Sequence, residues 1–284
     1  MQVGLFDHIE DGGRPLAQLF DERLQFIQAA DEAGFYCLQL AEHHQTPLNM
    51  VPVPSVFLGA VARVTRRIRL GTLVYLLPLY SPLRMIEEIS MLDHLSHGRL
   101  EVGVGRGVSP YELKYHKIEH QDSRDIFVDA FKCVSAGLVS DQLTYKGPYY
   151  EYDNVPIAMH PLQKPYPAFW YGSSGPEGST WAGEQGLHFV TLGSMALAKE
   201  NIDTFKAAFA KRGSAAQPKA EFRGGAAIGV QRHIFVDETD EKARAWAKPA
   251  MEKHLENINW LRRDRKSTRL NSSHIPLSRM PSSA

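Results

Sequence analysis

The sequence predicts an α/β fold, a (β/α)8 TIM barrel that is truncated after its seventh β/α unit. Apolar runs of strand length alternate with helical patterns, and the runs contain few polar residues, as strands buried on both faces do. A length of 284 residues without a break in composition fits one large domain. Pattern alone leaves an open doubly wound sheet as the alternative, and the number of units favours the barrel.

The first half of the chain contains four predicted strands. An apolar run at residues 3–8 precedes apolar residues at three- and four-residue steps, which predict a helix that ends at Gly34. A later helix begins with Ser81 as its N-cap and Pro82 at its first position. The other elements of this half are strands at 36–42, 68–80 and 100–105 and helices at 54–65 and 82–96.

The second half continues the alternation with one interruption. Residues 143–152 predict a small hairpin whose turn is Lys146-Gly147-Pro148. The other elements are strands at 167–173, 187–193 and 226–237 and helices at 123–138, 176–186, 196–213 and 240–263. They complete seven successive strand-then-helix units.

Charge and composition restrict the class of ligand. The chain carries 32 Lys and Arg against 32 Asp and Glu, so no net field favours nucleic acid or an anionic membrane, and we expect a small-molecule ligand. Cys37 and Cys133 stand far apart without a CxxC motif, which favours a reducing compartment over a disulfide framework. The N-terminus lacks a signal-peptide pattern, and no apolar run approaches the roughly 20 residues that span a bilayer, so we predict a cytoplasmic protein.

Polar residues at the ends of the predicted strands are the candidates for chemistry, because ligands bind at the carboxyl ends of barrel strands. Adjacent histidines on an extended segment point to opposite faces, so at most one of His43 and His44 enters this barrel mouth. That spacing does not favour a metal site and we expect none, while a purely structural role stays open for this segment. The strand-end residues are Asp7, His8, Glu42, His43, His44, Arg106, Ser173 and Ser174.

Two further segments indicate an anionic ligand. The glycines of residues 98–107 do not have the GxGxxG spacing of a dinucleotide site, so Arg106 is either a charge for an anion or a surface ion-pair partner. In residues 171–186 a strand passes through serines directly into a helix, whose free N–H groups and dipole suit a phosphate. Ordinary helix capping explains one serine but less easily three.

These segments resemble the bacterial luciferase-like flavin-dependent monooxygenase family. The matching residues are "AEHH" at 41–44, "GTLVYLLPLYSPLRMIEEISMLDHLSHGRLEVGVGRG" at 71–107 and "YGSSGPEGSTWAGEQG" at 171–186, within a similarity that runs from about Met1 to Arg262. The resemblance implies a (β/α)8 barrel that receives reduced FMN from a separate flavin reductase. It implies that the FMN reacts with O2 to give a C4a-peroxyflavin, which oxygenates a small organic substrate, and that the enzyme is a homodimer or heterodimer.

Site residues follow from the same resemblance. His43 matches the catalytic histidine, and Glu42 and His44 complete the predicted catalytic corner by shaping and hydrogen-bonding it. Leu73 and Val74 match a place where the family often has a non-prolyl cis peptide beneath the flavin ring. The other predicted FMN-binding residues are Arg106, Val108, Arg124, Ser173, Ser174 and Ser179.

Other functions stay open on this fold. Gly105 stands where light-emitting members have a reactive cysteine, so the resemblance gives no support for bioluminescence. A deazaflavin- or FMN-dependent oxidoreductase would transfer hydride and leave oxygen alone, which oxygen uptake with reduced FMN distinguishes. A non-catalytic flavin-binding protein would bind FMN without turnover, and a metal-dependent hydrolase is a distant further alternative.

The last residues of the chain are predicted to be foreign to the domain at residues 1–263. Residues 264–274, "DRKSTRLNSSH", match one forward-frame translation of a widely used sequencing-library adapter, and the Ser- and Pro-rich remainder has no helical or strand period. A natural disordered tail is the alternative that composition allows. We therefore expect residues 264–284 to pack poorly, and an eighth β/α unit to be missing from the barrel.

Overall fold

The computed structural model describes residues 2–212 and 226–262. Its strands are β1 Leu5–Asp7, β2 Cys37–Leu40, β3 Arg69–Leu76, β4 Leu100–Gly105, β5 Gln142–Lys146, β6 Glu151–Pro156, β7 Phe169–Gly172, β8 His188–Thr191 and β9 Ile228–Val230. Seven of them form one parallel sheet in the order β1-β2-β3-β4-β7-β8-β9, and β5 and β6 form a separate antiparallel hairpin.

The helices follow the strands in alternation. They are α1 Leu16–Ala33, α2 Pro54–Val64, α3 Pro82–Leu95, α4 Pro110–Tyr115, α5 Ser123–Gly137, α6 Pro176–Gln185, α7 Met195–Arg212 and α8 Asp240–Arg262, with a 3-10 turn Leu77–Leu79 after β3. None of the helices in the described ranges is long and apolar enough to cross a bilayer.

The predicted α/β class is confirmed. Neighbouring strands of the large sheet pair in parallel, and every residue of β2 and β4 is buried. The sheet curls so that the segments after β1 and after β9 both reach α8, where the rings of His8 and His233 contact that of His254. The described residues thus form a seven-stranded half-barrel. The predictions for the tail concern residues 264–284, which lie outside the described residues.

Several local predictions are also confirmed. Gly34 ends α1 in the left-handed conformation, with φ 83°, and Pro82 opens α3 directly after Ser81. The hairpin turns between β5 and β6, where the Gly147 N–H donates to the Tyr150 carbonyl at 2.9 Å. The Ser81 hydroxyl, by contrast, makes no capping hydrogen bond.

Three elements differ from the prediction. The strand predicted at 68–80 ends at Leu76, and Leu77–Leu79 form a 3-10 turn. The strand predicted at 226–237 forms only at Ile228–Val230, and the apolar residues Ile234 and Val236 beyond it are exposed. An apolar run becomes a strand only where a neighbour offers ladder partners, and β8 is the strand that pairs with β9 in the described part of the chain. The short helix α4 was not predicted, because six residues are too few to show a helical period.

Glycines let the central strands approach closely. A Cβ at Gly71 would lie 1.7 Å from the Glu101 carbonyl oxygen, and one at Gly103 would lie 2.0 Å from the Thr72 carbonyl oxygen. Both contacts are shorter than any real Cβ contact, so a larger residue at either position would push β3 and β4 apart. The register of these two strands fixes where their carboxyl ends, and the residues that follow them, come to lie.

Candidate active site

Most of the predicted site residues lie at the edge of the sheet where the parallel strands end. We call this edge the barrel mouth. Parallel pairing places Asp7 beside Leu40, and Leu76 beside Gly105, so the segments after these strands leave the sheet side by side. β4 and β7 pair through Gly103 and Trp170, which brings the segments that follow both strands together. Residues far apart in sequence therefore meet here because the strands are parallel.

His43 lies at the end of β2 with its ring held on two sides. Its Nδ1 is 3.2 and 3.3 Å from the two carboxylate oxygens of Glu112, and its ring stacks on that of His8 at 5.7 Å between centroids. The side chain is 14% exposed. A carboxylate only accepts, so Nδ1 carries the proton of the neutral ring and Nε2 keeps its lone pair.

Glu112 is a site residue that the sequence reasoning missed. It lies in α4, is buried, and accepts a 2.6 Å hydrogen bond from the His44 N–H in addition to its contact with His43. Ser109 caps the helix by accepting from the Glu112 N–H at 3.3 Å. A signal was present, since Ser109 and Glu112 have the spacing of a capping box.

Glu42 is completely enclosed and joins the ends of β2 and β3. One carboxylate oxygen accepts from the Leu76 N–H at 3.1 Å and the Tyr80 hydroxyl at 2.9 Å, and the other lies 2.8 Å from His44 Nε2. Burial raises the pKa of Glu42, and these hydrogen bonds oppose the rise. Its side chain has no exposed surface, so Glu42 positions the corner and does not touch a ligand.

The guanidiniums of Arg106 and Arg124, here called the arginine pair, both place positive charge near the Tyr171 hydroxyl. Burial raises the pKa of Tyr171, and the adjacent guanidiniums of Arg124 and Arg106 counteract that rise. Both arginines are half-buried, and within the described ranges neither one has a carboxylate at ion-pair distance. Two neighbouring cations without an acidic partner are suited to hold an anion.

The three serines after β7 differ in burial and in their hydrogen bonds. Ser173 is half-buried and its hydroxyl exchanges hydrogen bonds with Gly175 at 3.1 and 3.2 Å, while Ser174 is exposed just before α6. Ser179 is fully buried and its hydroxyl donates to the Gly175 carbonyl at 2.8 Å. In this conformation Ser179 braces the start of α6, and the Ser174 hydroxyl and N–H make no hydrogen bond within the described residues.

The peptide bond between Leu73 and Val74 is cis, as the resemblance implies. Gly105 lies opposite, and a Cβ there would be 2.4 Å from Cγ2 of Val74, so this position accepts a larger residue only if Val74 moves. Val108 is exposed at the edge of the same region.

A histidine cluster, His8, Glu10, His233 and His254, lies next to His43. The Glu10 carboxylate pairs with His254 Nδ1 and accepts from the Asn257 side chain at 2.6 Å. Burial, with the neighbouring His43 and His254, lowers the pKa of His8 to about 3. Burial alone would raise the pKa of Glu10, but the hydrogen bonds from His254 and Asn257 outweigh it and lower that pKa.

Helix α8 also covers part of the barrel mouth. The buried Leu261 lies against α4, where its carbonyl accepts from the Ser109 hydroxyl at 3.2 Å. A cavity of about 80 Å³ lies at this contact, lined on one side by His44 and Glu112 and on the other by Trp260 and Leu261. The site is therefore partly shielded from water by a helix whose Leu261 comes 152 residues after Ser109.

Sequence comparison relates the chain to flavin-using oxygenases. The family model described as luciferase-like monooxygenase matches residues 1–277. The chain is 38% identical over 261 residues to the uncharacterized protein y4wF of Sinorhizobium fredii, which covers 92% of this chain and 75% of that protein. It is 26% identical over 252 residues to the oxygenase component of the flavin-dependent trigonelline monooxygenase of Acinetobacter baylyi, covering 87% of this chain and 68% of that protein.

Solved structures share the fold. The oxygenating constituent of 3,6-diketocamphane monooxygenase from Pseudomonas putida, in complex with FMN, superposes with a TM-score of 0.80 at 20% identity, over 91% of this chain and 75% of that one. An F420-dependent secondary alcohol dehydrogenase superposes with a TM-score of 0.71 at 21% identity, over 90% and 81%. At these identities the likeness concerns the fold, which serves both flavin and deazaflavin enzymes.

Replacing Glu42 tests its positioning role. We expect Glu42→Leu to lower the free energy of unfolding by about 3 kcal/mol, because buried donors left without an acceptor cost about 1–3 kcal/mol each and removal of a buried carboxylate offsets part of that cost. Glu42→Gln keeps an acceptor and should cost less. Urea unfolding measures both, with Glu87→Leu on the exposed face of α3 as the control that changes stability little. Wild-type stability of Glu42→Leu would contradict the role.

Proposed function

The chain belongs to the luciferase-like monooxygenase family, and we propose that it is the oxygenase component of a two-component flavin-dependent monooxygenase. In this proposal it takes reduced FMN from a separate reductase and uses O2 to oxygenate a small organic substrate in the cytoplasm. The relatives named for flavin-dependent and FMN-bound monooxygenases support this direction.

The arginine pair is the observation that carries the proposal. The charges of Arg106 and Arg124 both act on Tyr171, which lies in β7 directly before the loop of Ser173 and Ser174 that leads into α6. Two cations, exposed hydroxyl and N–H groups and the positive end of a ten-residue helix fit the dianionic phosphate of FMN. The residues present therefore suit the phosphate of this cofactor, and the cis peptide and His43 would hold its ring.

When bound, reduced FMN would supply the electrons that activate O2. The chain's own part is to bind the phosphate, to shield the site from water with α8 and to move a proton at His43 Nε2. Glu112 holds Nδ1, and Nε2, which has no hydrogen-bond partner within the described residues, would take up a proton and return it. Glu112 holds this ring in place, and Glu42 holds the neighbouring His44.

Oxygen uptake tests the proposal directly. The chain, FMN reduced by a reductase and a panel of aldehydes, ketones, sulfonates and trigonelline are mixed with ¹⁸O2, and labelled product is measured by mass spectrometry. One labelled oxygen atom per product supports the oxygenase. An oxidised or reduced product without label, formed with reduced deazaflavin or FMN as the hydride donor, would favour the hydride-transferring alternative. FMN binding without turnover would favour the non-catalytic alternative.

Arg106→Ala should weaken FMN binding more than it slows the bound complex. A charge-assisted contact to phosphate contributes roughly 1.5–3 kcal/mol, or about 10- to 100-fold in Kd. Fluorescence titration of FMN measures the loss, and Arg84→Ala, which removes an exposed arginine paired with Glu87, is the control. An unchanged Kd in Arg106→Ala removes this residue from the site.

His43→Ala should bind FMN normally but fail to couple oxygen to the substrate. General acid–base groups contribute about 10² to 10⁴ in rate, and without the imidazole the oxygen is released as hydrogen peroxide. The ratio of product to peroxide reports the defect, and His94→Ala on the exposed end of α3 should match wild type. A wild-type yield of product from His43→Ala would show that another residue has the catalytic role.

A further inference from the structure

The histidine cluster brings together metal-binding side chains from opposite ends of the chain. One ligand atom from each of His8, Glu10 and His254 lies within 4.8 Å of the other two. We propose that these three residues bind one divalent transition-metal ion of the Zn²⁺ type, separately from the flavin. The sequence gives no sign of this site, because 244 residues separate Glu10 from His254.

The distances suit a small ion. Three atoms no more than 4.8 Å apart all lie within about 2.8 Å of a common point, and Zn²⁺ bonds to imidazole and carboxylate are about 2.0–2.2 Å long. Side-chain movements of less than about 1 Å therefore close the site. The ring of His233 lies next to these three residues, with its centroid 5.0 Å from that of His254, and a bound water would complete a tetrahedron around the ion.

The ligand atoms of these side chains favour transition-metal ions over Mg²⁺ and Ca²⁺. Two imidazoles and one carboxylate bind Zn²⁺ and other divalent transition metals, whereas Mg²⁺ and Ca²⁺ require oxygen ligands. Glu10 is also oriented as a metal ligand should be, since the Asn257 side chain donates to its second oxygen at 2.6 Å. If Glu10 and His254 only formed a hydrogen bond with each other, neither the His8 ring nor the His233 ring would be needed beside them.

The position of the site gives the ion a structural effect. His8 and Glu10 follow β1 at one end of the sheet, and His254 belongs to α8, which covers the barrel mouth. An ion bound to all three would fix α8 to the first strand across the side of the half-barrel where β1 and β9 have no common ladder. Such a link stabilises the folded chain, because the unfolded chain lacks the preformed site.

Zinc titration of the full chain tests the proposal. After removal of metals with EDTA, we expect the wild type to bind one Zn²⁺ per chain in a calorimetric titration and to gain thermal stability, while Mg²⁺ as the probe has no effect. Glu10→Gln and His254→Gln should each bind Zn²⁺ at least about 10- to 100-fold more weakly, the loss that even an outer-shell change causes. Both variants should also lose the zinc-dependent rise in Tm.

The control is His160→Gln, which removes an imidazole that faces the single carboxylate of Asp141 at 3.2 Å. It should bind Zn²⁺ as the wild type does. Absence of saturable zinc binding in the wild type overturns the proposal even if a variant fails to fold. Wild-type affinity in Glu10→Gln or His254→Gln, with circular dichroism showing a folded chain, overturns it as well.

Discussion

Two buried carboxylates hold the end of β2, and the geometry of the site depends on them. A buried carboxylate is stable only when donors satisfy its oxygens, so Glu42 and Glu112 each fix several groups at once. Glu42 ties His44 to the start of the segment after β3, and Glu112 ties the His44 backbone and the His43 ring to α4. His43 is therefore directed by contacts with two other elements, although it lies in a short irregular segment.

The parallel sheet explains why much of the site could be predicted from sequence. Polar residues directly after apolar runs pointed to His43, Arg106 and Ser173, and parallel pairing does bring the ends of these strands to one edge. This rule gives positions along each strand and not contacts through space. Glu112 and His254 were missed because their partners lie 69 and 244 residues away, and no local pattern records such a distance.

The fold shows the same division between local and distant information. Gly34, the hairpin turn and the boundaries of β4 depend on neighbouring residues and were predicted correctly. The strand after Val230 was predicted wrongly, since whether an apolar run pairs is decided by the strand beside it. The Ser179 hydroxyl donates to the Gly175 carbonyl in this structure, and its role as a phosphate donor stays a prediction.

The account depends most on recognition of the FMN phosphate by the arginine pair. Reduced FMN and reduced riboflavin differ only in that phosphate, so the ratio of their dissociation constants isolates its contribution. Anaerobic titrations should give riboflavin a Kd at least about 10-fold above that of FMN in the wild type, and this preference should largely disappear in Arg106→Ala, with riboflavin binding unchanged. Equal affinity of the wild type for both flavins, or equal loss of both in Arg106→Ala, would contradict the account.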